Sequence, residues 1–289
     1  MSDLISMAQS VRIAQRKFAA SDAERRTAAL LGLADILERR AAEILAANQE
    51  DLDRSAAAGL AVPLMSRLRL TPGKLATLCD GTRSLADATD PVGQAELCTT
   101  LDDGLVLTRV MSPIGVLLII FESRPDAVIQ IGGLALRSGN AVIMKGGREA
   151  AHTNAVLVSC IQEALARSGL PECVVTGIQD RASVAALLEL DQEIDLVIPR
   201  GSGELVRHIQ SSTRIPVLGH AEGVCALYLD AAAEPVMAAR LAVDGKCDYP
   251  SACNATETLL VHSDFLEHLG AVGEALHAAG VELRADPRS

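Results

Sequence analysis

The first ninety positions show the spacing of amphipathic helices. Leu30, Leu33 and Leu37 recur every three or four residues among charged positions, which is the period of a helix with one apolar face. The residues at 21–24 read S-x-x-E, a capping box. The pattern therefore predicts one long helix that begins at this box and runs to about Asn48.

Two further local signals follow before the pattern changes. Thr71 and Pro72 form an N-cap followed by a first-turn proline, which predicts a helix running towards Leu85. Between 99 and 110, two short β-prone runs flank Asp103-Gly104. This arrangement predicts a β-hairpin.

From Ile114 onwards, short apolar runs alternate with helical segments. The runs do not alternate apolar with polar residues, so they are predicted to be strands buried on both faces. They lie at 115–121, 140–145, 173–177, 194–199 and 223–230, and the helical segments lie near 126–138, 150–168, 181–190 and 203–212. The succession predicts an α/β fold in which N-terminal helices precede a doubly wound, mostly parallel sheet. Such a sheet gathers phosphate-binding loops at one edge.

Composition narrows the classes of partner. The net charge of −11 would repel a nucleic-acid backbone, and an aromatic content of 2% leaves little from which to build stacking platforms. No continuous apolar stretch reaches membrane-spanning length, and no signal peptide is recognisable. The seven cysteines contain no C-x-x-C pair and no zinc-like spacing, which favours a reduced cytoplasmic protein without a metal site.

The first candidate site is the turn Lys145-Gly146-Gly147-Arg148-Glu149, between a predicted strand and a helix. Paired glycines allow close backbone approach, and two basic side chains with a helix N-terminus suit an anion such as a nucleotide phosphate. A tight turn whose basic residues are merely solvated explains the same residues equally well. The turn is not the G-x-G-x-x-G dinucleotide fingerprint.

A second loop of the same kind occupies 199–204, Pro-Arg-Gly-Ser-Gly-Glu. Gly201 and Ser202 stand before a predicted helix, where they could bind a pyrophosphate or simply supply an N-cap serine between glycines. Because both loops would lie at one sheet edge, the pair is more informative than either loop alone.

Cys253 is the candidate nucleophile. It lies among small residues in the stretch 249–254, Tyr-Pro-Ser-Ala-Cys-Asn, where a thiolate would be sterically open to a carbonyl. A purely structural cysteine is an equal alternative, and Cys247 could be a resolving partner. Cys160, Cys173 and Cys225 lie in apolar runs and are predicted to pack in the core.

A charge cluster ends the first buried run at 121–126, Phe-Glu-Ser-Arg-Pro-Asp. Arg124 could bind a carboxylate or phosphate bidentately. The local sequence favours the simpler alternative, in which it pairs with Glu122 or Asp126.

Five of these segments, in order, resemble the γ-glutamyl phosphate reductases, a family with the aldehyde dehydrogenase fold. They are SPIGVLLIIFESRPD, SGNAVIMKGGREA, IDLVIPRGSGELV, IPVLGHAEGVCALYLD and CDYPSACNATETLLVH, at 112–126, 138–150, 194–206, 215–230 and 247–262. The resemblance implies NADPH-dependent reduction of γ-glutamyl phosphate to glutamate 5-semialdehyde, through a cysteine thioester, in proline biosynthesis. It also implies a cytoplasmic oxidoreductase that assembles as a homo-oligomer through a small hairpin, with glutamate 5-kinase as a candidate partner.

The resemblance also assigns roles to residues of this chain. Cys253 matches the nucleophile, and Asn254 would stabilise the oxyanion. Lys145, with Gly146 beside it, matches the lysine at the adenosine ribose, and 201–202 match the loop at the cofactor pyrophosphate.

Two departures from typical aldehyde dehydrogenases point to a reductase that uses NADP. Arg148 stands where many NAD-preferring members carry a glutamate, and it could pair with a 2′-phosphate. The stretch 218–221, Leu-Gly-His-Ala, has no glutamate base to activate water against a thioester. Arg124 lies at or beside the position of the usual oxyanion asparagine and is expected to bind the acyl phosphate.

The resemblance predicts a cofactor-binding domain over 1–248, which includes the hairpin, and the start of a catalytic domain over 249–289. Family members continue beyond the position matched by Ser289, so the catalytic domain is expected to be incomplete. Two alternatives to the reductase follow: an inactive fragment that still binds nucleotide or a partner, and an aldehyde dehydrogenase with another substrate.

Overall fold

A computed structural model describes residues 2–122, 124–219, 223–250 and 252–288. The chain forms two compact units, Met1–His220 and Ala221–Ser289, called here the N-terminal unit and the C-terminal unit. The helices of the N-terminal unit are α1 (Ser2–Ala19), α2 (Ala23–Arg39), α3 (Ala41–Ala57), α4 (Val62–Leu68), α5 (Pro72–Asp87), α6 (Asp126–Arg137), α7 (Ala151–Arg167), α8 (Arg181–Leu187) and α9 (Gly203–Ser212). Its strands are β1 (Ala95–Asp102), β2 (Leu105–Val110), β3 (Val116–Ile120), β4 (Ala141–Lys145), β5 (Val175–Ile178) and β6 (Leu196–Pro199). The C-terminal unit contains β7 (Ala226–Leu229), α10 (Pro235–Cys247), β8 (Thr258–Val261) and α11 (Leu269–Ala278).

The predicted long helix from 21 to 48 is wrong in its start and its length. Asp22 is the N-cap of α2, and its carboxylate accepts from the Arg25 N–H at 2.7 Å. The helix stops before Arg40, whose backbone leaves the helical region, and α3 then begins. This break separates two packing directions, because α2 packs against α5 and α7 whereas α3 packs mainly against α7. The predicted start at Thr71 is confirmed, since its hydroxyl accepts from the Lys74 N–H.

The parallel sheet has the order β5-β4-β3-β6, which confirms the predicted α/β doubly wound fold. All its strand pairs are parallel, and a bridge from Val197 to Val217 extends the sheet beyond β6. The chain adds β4 and β5 on one side of β3 and then returns to place β6 on the other side. Right-handed crossovers therefore put α6 and α7 on one face and α8 on the opposite face.

The run at 223–230 does not join this sheet, contrary to the prediction. Within it, β7 pairs in parallel with β8 to form a separate two-stranded sheet in the C-terminal unit. Ala226 and Tyr228 are exposed, so the strand is not buried on both faces. The compact unit therefore begins before β7 and not at the predicted boundary near 248, because β7 pairs with β8 and α10 packs against α11.

The hairpin predicted around Asp103-Gly104 is confirmed. Strands β1 and β2 pair in antiparallel fashion, and Gly104 adopts a positive φ of 75° in the turn. Every residue of both strands is exposed. An isolated two-stranded hairpin is only marginally stable in water. The β1–β2 hairpin is therefore expected to need contacts beyond those between its own two strands.

The start of β3 is held by a partly buried ion pair. The Asp195 carboxylate accepts from the Val116 N–H at 2.7 Å and pairs with Arg12 at 2.8 Å. Gly115, with a φ of 133°, passes so close to this carboxylate that a Cβ would collide with it. Glycine is therefore required by both backbone conformation and space.

Replacing Gly115 by alanine should lower the free energy of unfolding by about 2 kcal/mol or more, because the change adds backbone strain to a collision with Asp195. Gly32→Ala is the matched control. Gly32 lies inside α2 with open space around its Cα, so this change should raise stability by about 1 kcal/mol. Urea unfolding followed by circular dichroism measures both. Equal effects of the two substitutions would contradict this account of the β3 start.

Candidate active site

The carboxyl ends of three strands meet at one edge of the parallel sheet. Ile120 of β3 is in register with Lys145 of β4 on one side and with Pro199 of β6 on the other. Neighbouring strands lie about 4.8 Å apart, so the two flanking loops start about 10 Å from each other. This edge includes the point where the strand order reverses, which is the usual ligand crevice of doubly wound sheets.

The loop after β4 is packed tightly at its first glycine. A Cβ on Gly146 would collide with the Asn154 amide and lie 3.2 Å from the Phe121 ring. Packing alone thus favours a glycine here, without any ligand. Lys145 is half-buried at the strand end, and Arg148 is exposed. The loop therefore presents basic side chains on a rigid base.

The start of α7 is already neutralised from within the protein. Asp51 on α3 is fully buried, and its carboxylate accepts from the backbone N–H and the hydroxyl of Thr153, at 2.8 and 2.7 Å. Arg54 pairs with Asp51 at 2.7 Å and donates to the Arg148 carbonyl at 3.0 Å. The start of α7, which the sequence suggests as a phosphate site, therefore already has the Asp51 carboxylate at its positive end. Attraction for an anion at this loop rests on side chains.

A cleft of about 280 Å³ opens beside this loop, between α6, α7 and the ends of β4 and β5. Its walls include Phe121, Met144 and Val158, together with Arg148 and Asn154. The Asn154 Oδ1 atom is buried and accepts no hydrogen bond from the described residues. No sequence pattern indicates Asn154, because its place in the cleft arises from contact with Gly146, eight positions earlier in the chain.

The loop after β6 carries the other predicted cofactor residues. Ser202 caps α9, and its hydroxyl accepts from the Leu205 N–H at 3.3 Å. A Cβ on Gly201 would lie 2.9 Å from the Leu205 side chain. Unlike the start of α7, the cap of α9 is a neutral, exposed serine. This helix start therefore carries no buried carboxylate against its cap, although the exposed Glu204 lies in its first turn.

Charged residues at the end of β3 complete the edge. Arg124 pairs with Asp126 at 2.6 Å, which is one of the two pairings that the sequence left open. Glu122 pairs instead with Arg67 of α4 at 3.1 Å. Neither Glu122 nor Arg67 was predicted as a site residue, since they lie 55 positions apart and no local pattern connects them.

Cys253 lies in a turn of the C-terminal unit. The turn is closed by backbone hydrogen bonds from Ala252 to the Tyr249 carbonyl and from Ala255 to the Ala252 carbonyl. Cys253 and Asn254 are both exposed. An exposed thiol in a short turn is open to an electrophile, as the sequence predicts.

The seven cysteines are all free, and they divide by burial. Burial raises the pKa of Cys79 and raises that of Cys160 to about 11, so both thiols stay protonated near neutral pH. Cys173 is half-buried and packs against the core, in keeping with the prediction, whereas Cys225 is half-buried and belongs to none of the core clusters, contrary to it. Cys98 and Cys253 are the exposed thiols, and Cys98 lies on the hairpin. Cys253 thus stays the candidate nucleophile.

The stretch 218–221, in which the sequence shows no glutamate base, is described only in part. Leu218 and Gly219 lie beside β6, whereas residues 220 and 221 of the same motif lie outside the described ranges, as does residue 251. The described residues contain no cluster of potential metal ligands. Within those ranges, no helix is long and apolar enough to cross a membrane.

Comparison with known proteins assigns the family. The model of the aldehyde dehydrogenase family matches residues 2–285. The γ-glutamyl phosphate reductase of Parasynechococcus marenigrum (strain WH8102) is 50% identical over 99% of this chain, which spans 66% of that protein. The crystal structure of the Thermotoga maritima γ-glutamyl phosphate reductase superposes with a TM-score of 0.90 at 33% identity, covering 96% of this chain and 68% of that one.

The Saccharomyces cerevisiae γ-glutamyl phosphate reductase gives a TM-score of 0.72 at 38% identity, covering 99% of this chain and 72% of that one. Similarity to this reductase therefore extends through both compact units. The chain belongs to the aldehyde dehydrogenase family, and the relatives that it resembles over nearly its whole length are γ-glutamyl phosphate reductases.

Proposed function

We propose that this chain acts in the NADPH-dependent reduction of γ-glutamyl phosphate to glutamate 5-semialdehyde. The observation that carries the proposal is 50% identity to a γ-glutamyl phosphate reductase along 99% of the chain, together with an exposed cysteine at the position of the nucleophile motif. The chain spans about two thirds of that relative. The reductase activity is therefore proposed from similarity to about two thirds of that relative.

Cys253 supplies the covalent chemistry in this proposal. Its thiolate attacks the γ-carbonyl carbon of the acyl phosphate, a C–S bond forms, and the C–O bond breaks as inorganic phosphate leaves. Asn254 and backbone amides stabilise the oxyanion that forms on the way. When bound, NADPH supplies a hydride to the thioester carbon. Cleavage of the C–S bond then returns the Cys253 thiolate and releases the semialdehyde.

The cofactor is assigned to the edge of the parallel sheet. Gly201 and Ser202 would hold the pyrophosphate at the start of α9, and Lys145 would contact the adenosine ribose next to Gly146. The residues fit such a group, because Ser202 begins a helix at the sheet edge, and the cleft beside the loop after β4 contains the buried Asn154 oxygen, which accepts no hydrogen bond from the described residues. Arg148, exposed on the same loop, favours NADP because a guanidinium can pair with a 2′-phosphate.

Arg124 is assigned to the substrate phosphate. Its side chain is about half exposed and pairs with Asp126, whose side chain is largely buried. An ion pair with one partner open to solvent contributes little stability, so a dianionic phosphate can compete with Asp126 for the exposed Arg124 guanidinium at modest cost.

Binding of nucleotide without turnover is the second candidate. It is favoured by the fact that the N-terminal unit carries all the predicted cofactor residues, whereas Cys253 lies in the C-terminal unit. An aldehyde dehydrogenase with another substrate is less well supported, because the relatives near 50% identity are γ-glutamyl phosphate reductases.

Assembly into a homo-oligomer through the β1–β2 hairpin is also proposed. Leu97, Leu101 and Leu107 are each more than half exposed on it. Such a surface is unfavourable in water and would be covered by a second copy. Seven free thiols support a reducing compartment, the cytoplasm, and glutamate 5-kinase stays a candidate partner.

Phosphate-dependent reduction of NADP by glutamate 5-semialdehyde tests the activity in the reverse direction. Cys253→Ala should lower kcat by at least about a thousandfold, since the covalent route is lost. Cys247→Ala, six residues earlier, is the control and should keep the activity. Equal turnover by wild type and Cys253→Ala would exclude the nucleophile assignment, and no turnover by either would favour nucleotide binding alone.

Arg148→Glu should weaken NADPH binding by about 10- to 100-fold through loss of a charge-assisted pair, while NADH binding stays the same or improves. The chain contains no tryptophan, so the fluorescence of the bound nicotinamide can be titrated with little background. An equal loss of affinity for NADPH and NADH would show that Arg148 does not pair with the 2′-phosphate.

Leu107→Asp should weaken self-association at least tenfold by placing a charge on the apolar face of the hairpin. Thr108→Asp is the matched control on the opposite face of the same strand. Sedimentation velocity measures both. A monomeric wild type, or equal effects of the two charges, would refute this mode of assembly.

A further inference from the structure

The turn that carries Cys253 is braced by the segment 223–225. The backbone of Gly223 passes so close that a Cβ there would lie 2.7 Å from the Cys253 carbonyl oxygen. The Cys225 carbonyl accepts from the N–H groups of Glu257 and Thr258, at 2.9 and 3.1 Å. The two chain segments are thus fastened to each other within a few residues of the nucleophile.

A second thiol contacts the nucleophile's own backbone. The Cys225 Sγ atom donates to the Cys253 carbonyl oxygen at 3.6 Å. Cys225 is half-buried, whereas Cys253 is exposed. The Cys225 sulfur is therefore already held against the backbone of the residue that it would have to reach, and the exposed Cys253 side chain is free to change its rotamer.

We propose that Cys225 is the resolving thiol of Cys253, so that oxidation of the nucleophile by hydrogen peroxide ends in a Cys225–Cys253 disulfide. The Cys253 sulfur attacks one peroxide oxygen, the O–O bond breaks, and a sulfenic acid and one water result. The Cys225 sulfur then attacks the Cys253 sulfur, an S–S bond forms and the S–O bond breaks. The hydroxyl leaves with the Cys225 proton as a second water.

The disulfide would protect Cys253 from irreversible damage. An exposed thiol without a neighbour proceeds from sulfenic to sulfinic acid, which a thiol reductant does not restore. A disulfide returns both thiols on reduction. The benefit to catalysis rests on the proposed function, but formation of the bond depends only on these two cysteines.

Cys247 is the competing partner, because it lies six residues before Cys253. Trypsin leaves Cys225 in the fragment 215–240 and leaves both Cys247 and Cys253 in the fragment 247–284, since there is no lysine or arginine inside either one. In a Cys247→Ser variant, a link between these fragments can involve Cys253 alone on the second one. This variant therefore separates the two partners.

The experiment treats wild type, Cys225→Ser and Cys247→Ser with hydrogen peroxide and maps the tryptic fragments by mass spectrometry. Wild type and Cys247→Ser should give fragment 215–240 joined to 247–284, and dithiothreitol should release both. Cys225→Ser should give no such link, and its Cys253 should accumulate sulfinic acid at least about tenfold faster. Circular dichroism establishes that each variant is folded before treatment.

Loss of the link in Cys247→Ser, or equal rates of sulfinic acid formation in wild type and Cys225→Ser, would overturn the proposal. The readout is a mass and not a rate of turnover. A chain that forms the link without reducing NADP would therefore refute the proposed activity while leaving the thiol pair intact. A chain that turns over normally but forms no link would do the opposite.

Discussion

The carboxylate of Asp195 fixes the register from which the N-terminal unit is built. It binds the Val116 N–H at the start of β3, it is held by Arg12 of α1, and it fills the space left by the missing side chain of Gly115. β3 is the strand that contacts both β4 and β6, so its register sets theirs. At the far end of the sheet, Lys145 and Pro199 consequently flank Ile120 at one level. The two loops assigned to the cofactor owe their alignment to a contact at the opposite end of the strands.

Electrostatics then distinguishes the two loops. The start of α7 is neutralised by the buried carboxylate of Asp51, whereas α9 begins at an exposed serine. A ligand phosphate at the first loop must rely on the full charges of Lys145 and Arg148, which are sensitive to substitution and to salt. A phosphate at the second loop can use the backbone N–H groups of a helix end. This division underlies the proposed ribose-side role of the first loop and the proposed pyrophosphate role of the second, where Glu204 also lies in the first turn of α9.

The C-terminal unit illustrates how a thiol's setting differs from its sequence context. Cys225 lies in an apolar run whose pattern predicts packing in the core, yet it is half-buried, because it stands just before β7, which joins a small two-stranded sheet. Its thiol meets the carbonyl of Cys253, 28 residues later in the chain. That contact is the basis for the proposed resolving role of Cys225, a residue that the pattern of apolar positions assigns to core packing.

Sequence alone determined the features that arise from neighbours along the chain. The hairpin around Gly104, the cap at Thr71 and the alternation of strands with helices depend on local backbone preference and on period, and each was predictable. The family resemblance was readable too, because short motifs stay contiguous. Only the tertiary structure decided the break at Arg40, the exclusion of β7 from the main sheet, the internal cap by Asp51 and the contact between Cys225 and Cys253. Each of these depends on groups that folding brings together from distant positions. A local sequence pattern does not contain the free energies of burial and pairing of such groups.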